Sequence, residues 1–511
     1  MQESRTINSV KNFGTGFFLQ LMNKIILFVC RTVFISILNT EYLGVNGLFT
    51  NVLSILSFAE LGIGTAIIYS MYKPIANNDK EKVKSLLSLY KKSYNIIGII
   101  IFVIGITFIP FLSYLIKDVP NIKENIGLLY FLFLLNTTIS YFYAYKKSII
   151  SAYQKERIIN KVNSLFLLLC NALQILFLFI THNYIIYLII QIIMTLAENI
   201  YISKKADKLY PYILEKDVKK LEKKEKKKIY YNVKNLTIYK LGAVILSSTD
   251  NIIISAIINV KSVGLCSNYV LIIESVRGIF NTAFNGITAS IGNLNVKAST
   301  EQKEKILFQY NFVCFWIYSL CSIIFIVLLN PFIKLWLGET FVLPTIVPIS
   351  LAISFWVVGI RGPAYTYRIT TGMFNKGKLA PYLCSIFNII LSIVLGKTYG
   401  LSGIFFATSI SQILTYSWMD PFYIYKYELK KSVKTYIYKH VTYILTFSFT
   451  CIIVMALTSL INTSLILELL IKTTITIIIT NILFYIIMHR TDEFDEIKRK
   501  LLINFKIKKT N

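Results

Sequence analysis

Residues 42–74 form an apolar segment, YLGVNGLFTNVLSILSFAELGIGTAIIYSMYKP, which is followed at 75–92 by the basic segment IANNDKEKVKSLLSLYKK. An apolar helix of this length that ends in a lysine-rich loop is typical of a membrane span that reaches the cytoplasm. The apolar segment carries one acid, Glu60, and a carboxylate is costly in hydrocarbon. We therefore expect Glu60 to face protein or water rather than lipid.

The same design continues along the whole chain. The 511 residues are 55% hydrophobic and 16% charged, whereas about 25% of residues are charged in an average soluble protein. The alternating pattern of a membrane β-barrel is absent. The sequence predicts an all-α polytopic membrane protein with about 14 transmembrane helices. The predicted spans are 13–38, 42–72, 93–116, 126–150, 162–181, 184–203, 235–258, 264–296, 307–330, 343–370, 381–398, 400–425, 438–460 and 464–488.

The positive charge is concentrated in the segments between spans, and this sets the predicted orientation. The formal net charge is +28, and twelve of the 54 Lys and Arg residues lie in residues 204–234. The excess of basic residues in alternate loops places both termini in the cytoplasm. Charge that is confined to such loops indicates contact with anionic membrane lipids and no nucleic-acid partner.

An internal repeat divides the chain into related halves. VNGLFTN at 45–51 resembles VGLCSN at 263–268, and NNDKEKVKSLLSLY at 77–90 resembles STEQKEKILFQY at 299–310. Two halves of the same polarity are typical of transporters whose working site lies between the halves. The predicted organisation is an N-terminal six-helix lobe at 1–203, a basic cytoplasmic linker at 204–234, a C-terminal six-helix lobe at 235–425, two additional transmembrane helices at 426–489 and a basic cytoplasmic tail at 490–511.

Polar side chains follow one helical face of spans one, two, seven, eight and ten. These are the spans expected to line a cleft between the halves, and charge inside a membrane is costly unless it serves a function. A purely structural ion pair is the alternative for the charges that lie deepest. An offset of 217 residues between the repeats places Glu60 at the position of Arg277, so the halves carry opposite charges at matching depths.

Other charged residues have simpler interpretations. Arg368 and Lys240 lie near span ends, and we expect both side chains to extend to the membrane surface. Glu468 and Lys472 lie one helical turn apart, which favours an ion pair between them. The seven scattered cysteines form no CxxC pair, so neither a zinc site nor a disulfide framework is predicted.

No pattern of catalytic residues stands out. The three histidines lie far apart, and no HExxH, GxSxG or Walker A motif occurs. We therefore expect no enzyme activity, no metal and no cofactor. Without a nucleotide site, transport would draw on an ion gradient or on the membrane potential.

Residues 10–115, with the signature at 42–92, resemble the bacterial polysaccharide-type flippases. This Wzx-like polysaccharide transporter family belongs to the superfamily of MATE transporters and other MOP exporters. The resemblance implies two six-helix lobes around a central cavity, plus two extra helices, in the bacterial cytoplasmic membrane. It also implies a polyprenyl-diphosphate-linked oligosaccharide as substrate, which is moved from the inner to the outer leaflet by alternating access.

The resemblance also assigns candidate residues. Arginine matches phosphate with two parallel hydrogen bonds, so cationic cavity residues would meet the diphosphate. The acids would bind a coupling cation, Na⁺ or H⁺, or hold the arginines in place. The candidate substrate-binding residues are Lys24, Arg31, Arg277 and Arg361. The candidate coupling or charge-partner residues are Glu60, Asp250 and Glu274.

Two other functions remain open at this stage. A cation-coupled exporter of small drugs in the same superfamily would use acids, such as Glu60 and Asp250, together with aromatic residues. A membrane-embedded glycan polymerase or acyltransferase would use the abundant polar and aromatic side chains, although the chain lacks a catalytic constellation and a large outer loop.

Overall fold

The computed structural model describes residues 22–499, apart from residues 61, 216, 372, 374–376 and 378. In some helical segments only the backbone is described, at residues 58, 59, 228, 232, 235, 236, 238–240, 243, 247, 283 and 285–297. The described backbone consists of helices and connecting turns, and no β-strand occurs in it. The chain divides into two compact units, residues 1–264 and residues 265–511.

The helices follow one another with short connections. In the first unit they are α1 (22–37), α2 (Thr40–Leu56), α3 (Ile63–Ala76), α4 (Lys80–Phe108), α5 (Leu112–Leu115), α6 (Ile126–Ala152), α7 (Glu156–Thr181), α8 (Tyr184–Leu209) and α9 (Lys223–Ile257). Helix α10 (Val260–Lys297) begins in the first unit and continues into the second. The second unit then contains α11 (Thr300–Leu337), α12 (Ile346–Thr370), α13 (Ala380–Ile413), α14 (Tyr416–Tyr423), α15 (Lys434–Ser459), α16 (Leu465–Met488) and α17 (492–499).

The prediction of an all-α polytopic protein with about 14 spans is confirmed. By length and composition, 10 of the described helices are apolar enough to cross a membrane. One of these, Ala380–Leu429, contains two predicted spans, because helix continues through a kink at Gly400, which has a φ of 62°. Among the described residues, the first, second and seventh predicted spans coincide with α1, with α2 and α3, and with α9, which are not among these 10 helices. All three predicted spans belong to the set with polar faces.

The second span is broken at its acidic residue. Helix α2 ends at Leu56, a 3-10 turn covers Ser57–Glu60, and α3 begins at Ile63. Membrane proteins tolerate such a break only where the freed backbone groups are buried in protein or face a polar cavity. Gly62 lies at this break and contacts α9 closely, because a Cβ there would lie 2.4 Å from the carbonyl oxygen of Val233. The sequence predicted a continuous span here, and tertiary packing against α9 explains the difference.

Aromatic rings cluster in part of the core of the first unit. Helix α6 packs against α4 and α8, and α9 packs against α2 and α3. The rings of Tyr90 and Tyr94 stack with their centroids 4.3 Å apart, and Tyr141 of α6 lies 5.9 Å from Tyr94. These phenols point hydroxyl groups into the interior of a membrane protein, which indicates a polar region inside this unit.

Two glycines allow α2 and the start of α10 to approach closely. A Cβ at Gly44 would lie 2.0 Å from the carbonyl oxygen of Val260, and a Cβ at Gly264 would lie 2.1 Å from that of Thr40. Small residues at helix contacts let membrane helices pack backbone to backbone. The two helices would therefore have to separate if either glycine gained a side chain.

We expect Gly44→Ala to destabilise the protein by about 1–3 kcal/mol, the usual cost of overpacking a tight contact. Thermal unfolding of the purified protein in detergent, followed by loss of the monodisperse size-exclusion peak, measures the effect. The matched control is Gly362→Ala, because nothing lies within 4 Å of a Cβ at that helical position. Equal melting temperatures for the two variants would contradict the close packing of α2 and α10.

The second unit is built around α11. This helix packs against α12 and α16, and α15 packs against α16 and α11. The ring of Phe315 stacks on Tyr443 at 4.4 Å, and Trp356 stacks on Phe447 at 4.5 Å. Phe315 also lies 5.1 Å from Phe484 of α16, so aromatic contacts hold the last two membrane helices to the unit. The predicted pair on α16 is confirmed, since the Lys472 amine lies 2.6 Å from the Glu468 carboxylate.

The beginning of the predicted basic tail is folded against this unit. In α17, Glu496 forms an ion pair with Lys305 of α11, and Glu493 forms one with Lys439 of α15. The Lys305 amine lowers the pKa of the Glu496 carboxyl from its ordinary value of 4.5. The Phe494 ring stacks on Trp316 with the centroids 6.1 Å apart. Charge pairing and ring packing together attach α17 to the second unit.

Candidate functional site

The break in the second span lies beside a polar cavity of about 470 Å³ inside the first unit. Helices α2, α6, α8 and α9 supply its walls, and the 3-10 turn places the Glu60 carboxyl in it. A discontinuous helix frees polar groups for ligand binding, and transporters often use such breaks in this way. The lining residues are Asn46, Thr50, Leu53, Ser54, Ser57, Glu60, Phe133, Asn136, Thr137, Tyr141, Gln191, Val244 and Ser248.

A second cavity of about 420 Å³ adjoins the first, and Asn46 and Gln191 line both. Helices α7 and α8 supply most of its wall, with Leu27 of α1 at one side. The other lining residues are Asn163, Phe166, Leu167, Cys170, Asn171, Gln174, Tyr187, Met194, Thr195 and Glu198. No lysine or arginine is among the described residues that line either cavity.

Glu60 is surrounded by phenols. Its carboxyl interacts electrostatically with the hydroxyls of Tyr90, Tyr94 and Tyr141. The tyrosines come from α4 and α6, so these two helices surround the acid with phenol groups, and Tyr141 also lines the cavity. As expected from the sequence, Glu60 faces protein and a cavity.

The other candidates of the first unit lie near these cavities without lining them. Arg31 interacts electrostatically with Tyr187, which lines the second cavity. Lys24 is half-buried on α1, where the neighbouring Asn23 donates a 3.2 Å hydrogen bond to Ser164 of α7. Asp250 is half-buried on α9, two residues after Ser248 of the first cavity.

In the second unit, Glu274 and Arg277 form an ion pair with each other on one face of α10. The Arg277 guanidinium lies 5.7 Å from the centroid of the Phe355 ring. Its Nε atom is buried and has no hydrogen-bond partner among the described residues. Arg277 is therefore in contact with a carboxylate and with a ring, and its Nε donor is unused among the described residues. The proposed match of Arg277 with Glu60 stays a prediction.

Arg361 lies against an aromatic ring. Its guanidinium lies 4.0 Å above the centroid of Tyr416, a distance that gives a close cation–π contact. The Nε and NH1 groups are buried and have no hydrogen-bond acceptor among the described residues. Stacking fixes the plane of the guanidinium and leaves its edge for an acceptor. This is the geometry with which arginine recognises phosphate.

The prediction that Arg368 extends to the membrane surface is wrong. Its side chain is fully buried, and its Nε atom lies 2.7 Å from the carboxylate of Asp420, which is also buried. Asp420 also interacts electrostatically with Arg361. The position of Arg368 near a span end suggested that its side chain would extend to the membrane surface. Asp420, two predicted spans later in the sequence, instead provides a buried partner. The side chain of Lys240 lies outside the described residues.

Sequence reasoning missed both Asp420 and Tyr416. The signal was present, because Asp420 lies within an otherwise apolar predicted span and an intramembrane acid requires a partner. In the second unit, the Asp420 carboxylate therefore interacts with two arginines, Arg368 at 2.7 Å and Arg361 electrostatically. Two guanidinium groups and one carboxylate leave one positive charge for an anionic ligand.

Comparison with known proteins supports the fold. No family model and no curated protein matches the chain. Among solved structures, the chain is similar to the lipid II flippase MurJ in an inward closed conformation, with a TM-score of 0.67, 16% identity and coverage of 92% of this chain and 97% of that one. An inward-facing multidrug resistance MATE family transporter of the MOP superfamily matches with a TM-score of 0.59, 16% identity and coverage of 79% and 97%.

A third solved structure has the same architecture. A MOP superfamily transporter from Pyrococcus furiosus matches with a TM-score of 0.53, 13% identity and coverage of 83% of this chain and 96% of that one. At these identities the similarity concerns the fold. The chain has the helical fold that the MurJ flippase shares with the MATE transporters.

Proposed function

We propose that this protein is a flippase that moves a polyprenyl-diphosphate-linked oligosaccharide from the inner to the outer leaflet for surface polysaccharide biosynthesis. The observation that carries the proposal is Arg361, whose guanidinium stacks on Tyr416 while two of its buried nitrogens have no acceptor among the described residues. Arg277 supports it, since its Nε is likewise buried without an acceptor in the described part of the chain.

The physical reason is the cost of moving a diphosphate through lipid. A charged head with sugars loses its hydration when it enters about 30 Å of hydrocarbon. Guanidinium groups replace that hydration with charge-assisted hydrogen bonds. An arginine that is already fixed by a ring loses little entropy when it binds, so Arg361 is suited to the phosphate.

The proposal includes the setting in which the protein works. The protein lies in the bacterial cytoplasmic membrane with both termini inside, and two six-helix lobes alternate between inward- and outward-facing states. Lys24 and Arg31 of α1 join Arg277 and Arg361 in receiving the substrate head. Glu60, Asp250 and Glu274 bind a coupling cation, Na⁺ or H⁺, or orient the arginines. The lobes, linker, additional helices and tail have the bounds that the sequence predicts.

A second candidate is a cation-coupled exporter of small molecules. It is favoured by the two carboxyls, Glu60 and Glu198, that line the cavities of the first unit without a basic residue among the described lining residues. Such a site attracts cationic compounds. Under this alternative, overexpression gives drug resistance, and deletion leaves the surface glycan intact.

The proposal is tested in a strain from which the gene has been deleted. We expect mass spectrometry to show accumulation of a polyprenyl-diphosphate-linked oligosaccharide and surface staining to show loss of one glycan. The wild-type gene on a plasmid restores both. Normal glycan and an unchanged lipid profile in the deletion strain would refute the flippase, and drug sensitivity in that strain would select the exporter.

A further inference from the structure

The two adjoining cavities of the first unit have no role in recognising a phosphate. The acids Glu60 and Glu198 face them, and no basic residue is among the described lining residues. Carboxylates that line a cavity repel a diphosphate bound in it, because the charges have the same sign. The cavities therefore require a ligand of different chemistry from the one that suits Arg361.

The lining has the chemistry of a site for hydroxyl groups. It is dominated by amides and hydroxyls, which both donate and accept hydrogen bonds. These polar residues are Asn46, Thr50, Ser54, Ser57, Asn136, Thr137, Asn163, Asn171, Gln174, Gln191, Thr195 and Ser248. Cavities of about 470 and 420 Å³ fall within the range of about 300–1,000 Å³ that is usual for small-molecule sites.

Two unsatisfied groups narrow the choice of ligand. Asn171 is 6% exposed, and its Nδ2 donor has no acceptor among the described residues. The Oδ1 acceptor of Asn136 has no donor among them either. A buried polar group without a partner costs about 1–3 kcal/mol, so a ligand that pairs both groups gains that energy.

Asn136 lines the first cavity and needs a donor, whereas Asn171 lines the second and needs an acceptor, so one kind of group that both donates and accepts satisfies both asparagines. A metal cation such as Na⁺ would bind the oxygen of Asn136 and leave the Asn171 N–H unpaired. An anion would accept from Asn171, leave the Asn136 oxygen unpaired and meet the carboxylates of Glu60 and Glu198. A sugar hydroxyl pairs with either asparagine. The rings of Tyr141 and Tyr187, which line the first and second cavity, add flat apolar surfaces for a sugar ring.

We infer that these two cavities bind uncharged, hydroxyl-rich sugar residues. That the sugars belong to the lipid-linked oligosaccharide rests on the proposed function. The flippase then recognises its substrate in two ways: the cationic residues of the proposed function take the diphosphate, and the amide-lined cavities of the first unit take saccharide.

Cys170 provides a reporter inside the second cavity. In a variant that keeps Cys170 and replaces the other six cysteines by alanine, purified protein in lipid nanodiscs is treated with a water-soluble methanethiosulfonate. We expect Cys170 to react and the reaction to slow when glucose, galactose or N-acetylglucosamine is added. Sorbitol of equal osmolality and NaCl are the comparison solutes. The other cysteines are Cys30, Cys266, Cys314, Cys321, Cys384 and Cys451.

Variants of the cavity test the contacts themselves. Asn171→Leu replaces the unpaired amide by an apolar side chain with the same branching, and we expect it to weaken sugar protection of Cys170 about tenfold. Thr195→Val, which is isosteric, serves as a second variant if Asn171→Leu folds poorly. Asn462→Leu is the matched control, because Asn462 is exposed in a loop of the second unit.

Three results overturn the inference: a Cys170 that never reacts, a Cys170 that reacts but is protected by none of the sugars, and protection by Na⁺ alone. The last would make the cavities a cation site. Because the assay uses free sugars and purified protein, it is independent of glycan export. If sugars do not protect Cys170 but deletion of the gene abolishes glycan export, the sugar site alone is refuted. If sugars protect Cys170 but deletion of the gene leaves glycan export normal, the flippase alone is refuted.

Discussion

Arg361→Ala is expected to lower the initial rate of glycan export by about 10- to 100-fold, since a hydrogen bond to a charged group contributes about 1.5–3 kcal/mol. The rate is measured by surface staining after induction of the gene in the deletion strain. The expected loss comes from the guanidinium edge that is buried without an acceptor in the described chain. Alanine removes both this edge and the stacking contact with Tyr416.

A lysine at the same position separates charge from geometry. Arg361→Lys keeps one positive charge but loses the planar fork and most of the stacking on Tyr416. We expect export by this variant to remain well below the wild-type rate and above that of Arg361→Ala. Export at the wild-type rate would mean that the site needs only a point charge.

The matched control for both variants is Arg157→Ala, because Arg157 is exposed on the first turn of α7. We expect normal export from this variant at an equal level of membrane protein. If Arg361→Ala also exported normally, phosphate recognition by Arg361 would be refuted.

The sequence predicted the membrane class because hydrophobic length is a local property. Each apolar run of about 20 residues reports its own span, so the count of about 14 needed no knowledge of packing. The break at Ser57–Glu60 was not predicted, since it depends on Gly62 meeting the backbone of α9. A helix break that is stabilised by a distant helix leaves little trace in its own segment.

The candidate site was predictable in part. Glu60 and Arg361 were identified because a charge within an apolar run is visible without a structure. Their surroundings were not, since Tyr416 and the tyrosines around Glu60 come from other helices. The amides that line the cavities were also missed as a group, because α2, α6, α7 and α8 contribute them from separate parts of the chain.

Arg368 shows that the position of a charged residue in a span predicts its burial less well than the presence of an oppositely charged partner does. Its side chain is fully buried, its Nε lies 2.7 Å from the Asp420 carboxylate, and its NH1 donates a 3.3 Å hydrogen bond to the Met373 carbonyl. A Cβ at Gly377 would lie 2.7 Å from the same NH1 atom, so Gly377 also packs against the guanidinium. The Arg368 side chain therefore links Met373 and Gly377 to Asp420 of α14.

Arg368→Met is expected to destabilise the protein by about 3–5 kcal/mol, because it leaves the Asp420 carboxylate buried without its partner. The purified variant should lose its monodisperse size-exclusion peak at a temperature roughly 5 °C below the wild type. Asp420→Leu should have a similar effect through an uncompensated guanidinium. Arg157→Met, at the exposed position on α7, is the control and should melt like the wild type.

The double variant Arg368→Met/Asp420→Leu distinguishes a lost partner from lost packing. Replacing both members of a buried ion pair by apolar residues of similar volume is often neutral or stabilising, by about 1–4 kcal/mol. We therefore expect the double variant to recover most of the melting temperature that each single variant loses. A double variant as unstable as the single variants would show that the site needs the charges themselves, with the Met373 carbonyl and the electrostatic contact of Asp420 with Arg361 as part of one network.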